Sequence, residues 1–207
     1  MNLSNHWNKV SNSWRHIISD ITKDKKSRLI SDYNKYFIEN INIKGCSTAL
    51  DWGCGGGLLT KELQKHFTTS VVDISKHSLD ECEKYCNPHY SQIVPSNIDD
   101  FIWNGKNVDF ILCHALVWHF PSLDYFKKVL SIWSKLSPKY IALNIKSIEG
   151  QDFIESSNYQ KNYLQALLLS VDKIESLFNG IGYSLVFKKS KETVKKQTLT
   201  FLVFKKI

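Results

Sequence analysis

The fold can be inferred from one segment, Ala49-Leu50-Asp51-Trp52-Gly53-Cys54-Gly55-Gly56-Gly57, in which an apolar run ends in an acidic residue and then in glycines. This order predicts a buried strand that runs into a tight turn. Glycines at positions 53, 55 and 57 permit the positive φ angles of such a turn, and their lack of a Cβ lets a ligand contact the main chain. The segment therefore predicts a ligand-binding turn.

Three other structures also place glycines after a strand. A dinucleotide-binding fingerprint, G-x-G-x-x-G, would need its third glycine at position 58, which is Leu58. A phosphate-binding loop would continue into Gly-Lys-Ser/Thr, which does not follow here. A glycine-rich turn without any ligand is the structural alternative. The pattern present is D-x-G-x-G-x-G, which begins at Asp51.

This pattern resembles motif I of the class I methyltransferases that depend on S-adenosyl-L-methionine (SAM), whose glycine loop passes along the methionine part of the cofactor. The resemblance covers about residues 45–207. It implies a doubly wound, Rossmann-like α/β fold with a seven-stranded sheet, helices on both faces and an antiparallel last strand. It also implies that SAM is the cofactor and that motif I supplies five cofactor-binding residues: Asp51, Gly53, Cys54, Gly55 and Gly57.

A second apolar run, residues 70–74, contains Asp73, which follows Asp51 by 22 residues, a spacing that fits one βαβ unit. In nucleotide-binding sheets an acidic side chain at this place accepts hydrogen bonds from ribose hydroxyls. We therefore predict Asp73 as the ribose ligand, with Ile74 beside the cofactor. The alternative is that Asp73 caps a helix or is a solvated loop carboxylate.

Residues 92–101 predict a third short strand followed by the adenine-binding turn of the same family. Pro95 supports a strand end, because a proline removes a donor from the ladder of a central strand. Many family members have Gly-Asp-Ala where this chain has Ser96, Asn97 and Ile98. Asn97 differs from the usual aspartate, but its amide oxygen can accept from the adenine amino group, and the backbone N–H of Ile98 can donate to the ring.

A fourth segment, residues 108–120, resembles the family's "fDlIls…vlhHl" sequence. It predicts an apolar strand that ends near Cys113, which we expect beside the cofactor. The N/D-P-P-Y/F motif of enzymes that methylate exocyclic base amines does not follow. Its absence argues against amino-group methylation of DNA.

Two histidines after this fourth strand are candidate general bases, since a histidine near its ordinary pKa can take a proton from a hydroxyl acceptor. His119 is the first choice because it matches the histidine of "vlhHl", and His114 is the second. For each, the alternative is a packing histidine. We predict substrate contacts from Trp118, whose alternative is a core tryptophan, and from Tyr159, which lies in the polar stretch 146–162 where the family places acceptor-binding insertions.

The N-terminal sequence resembles the "W-x-x-V-A-x-x-W/Y" opening of small-molecule methyltransferases, whose first helix folds over the cofactor. Trp7 and Trp14 are seven residues apart and share one face of a helix. We predict that they cover SAM, or alternatively that they dock the helix. The predicted organisation is an N-terminal helical lid region at 1–44 and a catalytic domain at 45–207, within a single domain overall.

The rest of the chain alternates between strand and helix patterns, as a doubly wound sheet requires. Predicted strands lie near 48–51, 70–74, 108–114, 140–145, 183–187 and 199–204, besides the short third strand. Predicted helices lie near 7–40, 58–66, 78–85 and 122–136, and a long helix is predicted through 164–177, with Gly180 at its end.

Composition limits the class of protein. The chain has 207 residues, of which 43% are hydrophobic, and this suits one globular α/β domain. No signal-peptide pattern or membrane-length apolar run occurs, and five cysteines, an odd number, indicate a reducing compartment, so we expect a cytoplasmic protein without membrane partners. Cys82, Cys86 and His89 have metal-ligand spacing, but Pro88 interrupts their helix and a fourth ligand is missing, so no metal is predicted.

The formal net charge of +7 is compatible with an anionic small molecule or RNA. The lysine-rich segments 23–28 and 188–196 resemble solvated faces, and no RNA-binding module is appended. We therefore expect a SAM-dependent methyltransferase that acts on a small polar metabolite, at oxygen. The alternatives are a tRNA or rRNA methyltransferase and a SAM-binding regulatory or partner subunit without chemistry of its own. The sequence leaves the oligomeric state open.

Overall fold

A computed structural model describes residues 3–13, 22–155, 167–192 and 198–207. The chain divides into two compact units, of which the first ends at Ile111 and the second begins at Leu112. This division falls within one strand, β4 (Phe110–Cys113). The two units are described in turn.

The first unit alternates helices with parallel strands, and its elements are α1 (Leu3–Ser13), α2 (Lys23–Tyr36), β1 (Thr48–Trp52), α3 (Leu58–Leu63), β2 (Thr68–Asp73), α4 (Lys76–Cys86) and β3 (Tyr90–Ile93). Strand β2 lies between β1 and β3 and is parallel to both. Consecutive residues of β1 and β2 are buried rather than alternating, as parallel strands covered on both faces require. Single 3₁₀ turns occupy Ile38–Asn40, Ile43–Gly45 and Ile98–Asp100.

Local capping chemistry sets the bounds of α4. The Ser75 hydroxyl accepts a hydrogen bond from the Ser78 N–H at the start of the helix, as an N-cap does. Asn87 ends the helix in the left-handed conformation, with φ of 46°, which asparagine tolerates better than most residues. The helix therefore begins directly after β2 and ends before Pro88.

The second unit contains the 3₁₀ turn Val117–His119 and the elements α5 (Leu123–Leu136), β5 (Tyr140–Ser147), β6 (Phe153–Glu155), β7 (Leu167–Leu169), α6 (Val171–Asn179), β8 (Tyr183–Glu192) and β9 (Thr198–Lys206). Strand β9 pairs antiparallel with β5 and with β8. At the end of β5, Ser147 pairs in parallel with Leu169 of β7. Strand β6 pairs antiparallel with β7.

Aromatic side chains form much of the core of the second unit. Phe178 of α6 stacks on Phe204 of β9, with ring centroids 3.8 Å apart. Trp133 of α5 and Tyr183 of β8 lie around the same phenylalanine. The Tyr183 hydroxyl donates to the Pro138 carbonyl, so its polar atom is satisfied inside the core. Helix α5 therefore packs against this core through Trp133.

The predicted fold class is confirmed: the chain is a mixed α/β, Rossmann-like protein whose last strand is antiparallel. Nine strands occur among the described residues, because β6 and β7 add two short strands that were not predicted.

The helix predicted through 164–177 was wrong at Leu167–Leu169. Leu167–Leu169 is a strand, and helix α6 starts only at Val171 because the Ser170 side chain accepts from the Lys173 N–H. A run of three leucines fits the face of a helix and a buried strand equally well.

Candidate active site

The glycine turn between β1 and α3 has the predicted left-handed backbone. Gly53, Gly55 and Gly57 have φ angles of 84°, 52° and 87°. The N–H groups of Gly53 and Cys54 both donate to the carbonyl of Val72 in β2, at 2.8 and 3.2 Å. These bonds fix the start of the turn to the neighbouring strand, so its shape depends on β1 and β2 together.

Asp73 at the end of β2 is hydrogen-bonded to two backbone groups. Its Oδ2 accepts from the Gly55 N–H at 3.0 Å, and its Oδ1 accepts from the Ser75 N–H at 2.9 Å. Burial raises the pKa of Asp73 to about 6, although both backbone hydrogen bonds oppose the rise. The carboxylate thus joins the glycine turn to the start of α4.

Asp51 lies beneath the turn rather than on its surface. Asp51 is only 3% exposed, and its Oδ2 accepts a hydrogen bond from the Thr60 hydroxyl at 2.6 Å. Burial raises the pKa of Asp51 to about 7, against the effect of the Thr60 bond. The sequence interpretation did not include Thr60, although its position in the first turn of α3 could have suggested it.

Tyr33 of α2 is a second buried group near this carboxylate that the sequence interpretation missed. It is fully buried, and among the described residues its hydroxyl has no hydrogen-bond partner. Burial, and then the charges of Asp51 and Glu62, raise the pKa of the Tyr33 phenol. Nothing in its local sequence separates it from an ordinary core tyrosine.

The predicted adenine-binding residues lie at the 3₁₀ turn after β3. Asn97 is exposed, and its Oδ1 accepts from the Asp99 N–H at 3.4 Å. Ile98 is buried, with 3% of its surface exposed. The Asn97 amide therefore caps this turn.

Helix α1 is attached to the residues that follow β2 and β3. The Ser4 hydroxyl donates to the Ile74 carbonyl at 3.1 Å, and the Ser4 N–H donates to the Ser96 hydroxyl at 3.2 Å. The Ser75 hydroxyl donates to Oδ1 of Asn8 at 3.0 Å. Trp7 is partly buried on the same helix, whereas Trp14 falls outside the described residues.

In the second unit, the loop after β4 is held by an asparagine of β5. Cys113 ends β4 and is fully buried, and His114 follows it, partly buried. Ala115 has a left-handed φ of 57°, and its N–H donates to Oδ1 of Asn144 at 2.6 Å. Asn144 is 1% exposed. This contact was not predicted, because 29 residues separate the two partners.

Trp118 and His119 belong to the 3₁₀ turn that continues this loop. The Trp118 side chain is largely buried, and the ring of His119 lies 5.7 Å from its ring. The Nζ atom of Lys146, near the end of β5, lies 5.1 Å from the Trp118 ring centroid, a cation–π geometry. Tyr159 falls outside the described residues. The second unit therefore places the imidazole of His119 and the ammonium group of Lys146 next to the indole of Trp118.

Comparison with known proteins shows which family the glycine turn is typical of. Residues 49–139 match the family model of a methyltransferase domain, and this range includes every motif that follows β1 to β4. The chain contains a SAM-dependent methyltransferase domain. The predicted family is thereby confirmed, and S-adenosylmethionine is the cofactor of this class of domain.

Solved methyltransferase structures are similar to this chain over nearly its full length. Magnesium protoporphyrin IX methyltransferase from Synechocystis PCC 6803, solved with bound S-adenosylhomocysteine (SAH), superposes with a TM-score of 0.71 at 14% identity, over 99% of this chain and 98% of that one. The N-methyltransferase NodS from Bradyrhizobium japonicum WM9, also with SAH, gives 0.71 at 11% identity, over 100% and 99%. At such identities the likeness establishes the fold.

Curated relatives match over a shorter range. Ubiquinone biosynthesis O-methyltransferase of Coxiella burnetii is 30% identical over 95 residues, which is 42% of this chain. The chain covers 38% of the length of that relative. The match supports the methyltransferase domain and leaves the acceptor to be argued separately.

Neither metal ligands nor membrane spans were found in the described part of the methyltransferase. No group of three or more His, Cys, Asp or Glu residues there is arranged to hold a metal ion. None of the helices in these ranges combines the length and apolar composition needed to cross a membrane.

Proposed function

We propose that the protein transfers the sulfonium methyl group of SAM to an oxygen atom of a small polar metabolite. The proposal that SAM binds here rests on the hydrogen bond from the Gly55 N–H to the Asp73 carboxylate. This bond joins the glycine turn to the end of β2. Asp51, Gly53, Cys54 and Gly57 would complete the methionine side of the site.

Space beside the turn supports this assignment. A Cβ placed on Gly55 would meet no atom within 4 Å, so the main chain there is open to a ligand. Each carboxylate oxygen of Asp73 can accept more than one hydrogen bond, so ribose hydroxyls can bind in addition to the two backbone donors. Ile74, Asn97, Ile98 and Cys113 are proposed as the remaining cofactor contacts.

We also propose that α1 is the lid over the cofactor. Its bonds to Ile74, Ser75 and Ser96 reach the loops that follow β2 and β3. Trp7 and Trp14 would then contribute apolar cover. The predicted lid region, residues 1–44, also contains α2. Because Tyr33 of α2 is fully buried in the core, we propose the lid role for α1 alone.

The reaction proposed is an in-line displacement in which the cofactor supplies an activated methyl group. The protein then has to align the acceptor oxygen and remove its proton. We propose His119 as the general base and His114 as the weaker candidate, because a neutral imidazole can take a proton from a hydroxyl acceptor.

The acceptor is proposed to carry a negative charge and a flat or apolar part. Trp118 offers an aromatic surface, and the ammonium group of Lys146 over it would attract an anionic substituent. Tyr159 is proposed as a further substrate contact from its place in the stretch 146–162. A cytoplasmic location remains a prediction from the sequence.

Titration calorimetry with SAH tests the cofactor assignment directly. Wild type is expected to bind in the micromolar range, and Asp73→Ala is expected to bind 10-fold or more weakly, because hydrogen bonds to a charged acceptor contribute about 1.5–3 kcal/mol each. Absence of SAH binding by folded wild type would contradict the proposal.

An acceptor screen with methyl-labelled SAM then separates the remaining functions. Labelling of small anionic hydroxyl compounds supports the proposal. Labelling of bulk tRNA, with binding that weakens steeply as salt is added, would instead establish an RNA methyltransferase. Tight SAH binding without transfer to any compound class would favour the partner-subunit alternative.

A further inference from the structure

Three cysteines of the first unit lie together, and two of them, Cys82 and Cys86, have no role in the proposed reaction. The Sγ atoms of Cys82 and Cys86 are 3.4 Å apart. Cys54 belongs to the same buried cluster as Cys82, and Cys86 packs against that cluster. All three are free thiols. The chain therefore places two nucleophilic sulfur atoms in direct contact next to the glycine turn.

Both sulfur atoms of this pair contact Gly57. A Cβ on Gly57 would lie 2.7 Å from Cys86 Sγ and 2.9 Å from Cys82 Sγ, which no real Cβ could tolerate. Cys86 Sγ also lies 3.7 Å from the Gly57 carbonyl. A displacement of either sulfur is thus transmitted to the backbone of the turn by direct contact.

One member of the pair is reachable from solvent. Cys86 is partly exposed, whereas Cys82 is fully buried. Cys86 is also the last residue of α4, and its carbonyl accepts from Nε2 of Gln64 at 2.9 Å. The end of the helix can move more easily than its middle, because its last carbonyls have no partners within the helix.

A bond between these sulfurs would require such a movement. A disulfide has an S–S distance of about 2.05 Å and a Cβ separation of about 3.5–4.5 Å. Helical residues four apart have Cβ atoms about 5–6 Å apart. The last turn of α4 must therefore shift toward Cys82, which changes the contacts that Cys86 makes with Gly57 and with the Gln64 side chain.

We propose that Cys82 and Cys86 form a reversible thiol-oxidation site for low-molecular-weight disulfides, and that their disulfide weakens SAM binding at the glycine turn. The second half rests on the proposed function of that turn. The first half depends only on the two thiols.

The chemistry is two successive thiol–disulfide exchanges. The Cys86 thiolate attacks one sulfur of the small disulfide and releases one small thiol after protonation. The Cys82 thiolate then attacks the Cys86 sulfur and releases the second thiol. In the reduced protein, hydrogen bonds from Cys54 and Cys86 lower the pKa of the Cys82 thiol. The hydrogen bond to Cys82 raises the pKa of Cys86, so the first step proceeds through the small deprotonated fraction of Cys86. Two cysteine thiols are oxidised, and one small disulfide is reduced to two thiols.

Peptide mapping tests the oxidation. Reduced, folded protein is incubated with glutathione disulfide, the remaining thiols are blocked, and the protein is digested with trypsin without reduction. Lys84 lies between the two cysteines, so cleavage there leaves two peptides that only a Cys82–Cys86 bond can join. That joined pair is expected. Absence of any linkage, or a linkage that involves Cys54, would overturn the proposal.

SAH titration of the reduced and oxidised forms tests the effect on binding. Oxidised wild type is expected to bind SAH about tenfold more weakly, as the loss of one or two hydrogen-bonded contacts would produce, and dithiothreitol should restore binding. Cys86→Ser should bind like reduced wild type and show no change with glutathione disulfide. Cys46→Ser, a buried cysteine outside the cluster, should behave like wild type in both states.

The outcomes separate the two proposals. Unchanged SAH affinity in mapped, fully oxidised protein overturns the effect on binding. If reduced wild type binds no SAH, the proposed function of the turn fails and this effect fails with it, while the mapping alone still decides whether the thiol pair is a modification site.

Discussion

The turn after β1 and the loop after β4 are built in different ways. The glycine turn and its carboxylate ligands arise from neighbouring residues of one βαβ unit, and only 18 residues separate Gly55 from Asp73. The loop after β4 depends on more distant partners. Asn144 accepts from the N–H of Ala115, which is 29 residues away, and Glu155 accepts from the N–H of Leu123, which is 32 residues away. The proposed cofactor site is built largely from neighbouring residues and can be predicted from the sequence, whereas the proposed acceptor site depends on distant segments and cannot.

The largest expected effect tests the buried carboxylates of the glycine turn. Burial raises the folded-state pKa of Asp51 from 3.8 to about 7. The folded protein then holds more protons than the unfolded chain between about pH 4 and pH 7, so its stability falls as pH rises through that window and levels off above it. A shift of this size corresponds to about 4 kcal/mol.

Thermal unfolding of cofactor-free protein across this window measures the effect. Asp51→Asn should reduce the pH dependence and leave the part that comes from Asp73, while Asp100→Asn, at an exposed aspartate, should leave it unchanged. A wild-type stability that rises between pH 4 and pH 7 would contradict the buried-carboxylate interpretation.

The next effect concerns contact between the turn and α4. Gly57→Ala adds a Cβ that collides with Cys82 and Cys86 at a φ of 87°. Strain and overpacking together should lower the free energy of unfolding by about 3 kcal/mol. Gly182→Ala is the matched control, because its φ is 84° but nothing lies within 4 Å of the new Cβ. Equal losses in denaturant unfolding of the two variants would show that the collision is unimportant.

A catalytic variant tests the loop after β4. His119→Ala should lower turnover by about 10²-fold if His119 is the general base, with little change in SAH affinity. His66→Ala removes an exposed histidine and should leave turnover unchanged. A loss of only a few-fold in steady-state assays would make His119 a packing residue.

A conservative change at Asp73 should have a smaller effect. Asp73→Asn keeps one acceptor oxygen but loses the charge and one of the two backbone bonds. SAH affinity should fall about tenfold, measured by calorimetry. Asp100→Asn serves again as the control. An unchanged affinity would return Asp73 to the role of a helix-capping residue.

The smallest effect should come from the N-terminal helix. Ser4→Ala removes the donor to the Ile74 carbonyl, so α1 should open more often and SAH should dissociate a few-fold faster, since one hydrogen bond contributes about 1 kcal/mol. Stopped-flow dissociation measures this. Ser176→Ala, an exposed serine in α6, controls for the substitution itself. Identical rates in the two variants would argue against a lid.

The sequence predicted the features whose chemistry is local. Glycines with positive φ and an acidic residue at the end of β2 both follow from spacing within one or two elements. Thr60 beneath Asp51 was missed because a threonine in a helix has many other uses. Asn144 and Lys146 were missed because their roles depend on which loop lies beside β5. The leucines at 167–169 were misassigned, since only the Ser170 cap fixes where α6 begins.

The attachment of α1 has a consequence for the timing of each cycle. Its bonds to Ile74, Ser75 and Ser96 lie next to the residues proposed to hold the cofactor, so the spent cofactor would have to wait for the helix to detach. Product departure, rather than methyl transfer, would then set the ceiling on turnover. Under that regime a weaker attachment would speed the enzyme when SAM is abundant and slow it when SAM is scarce.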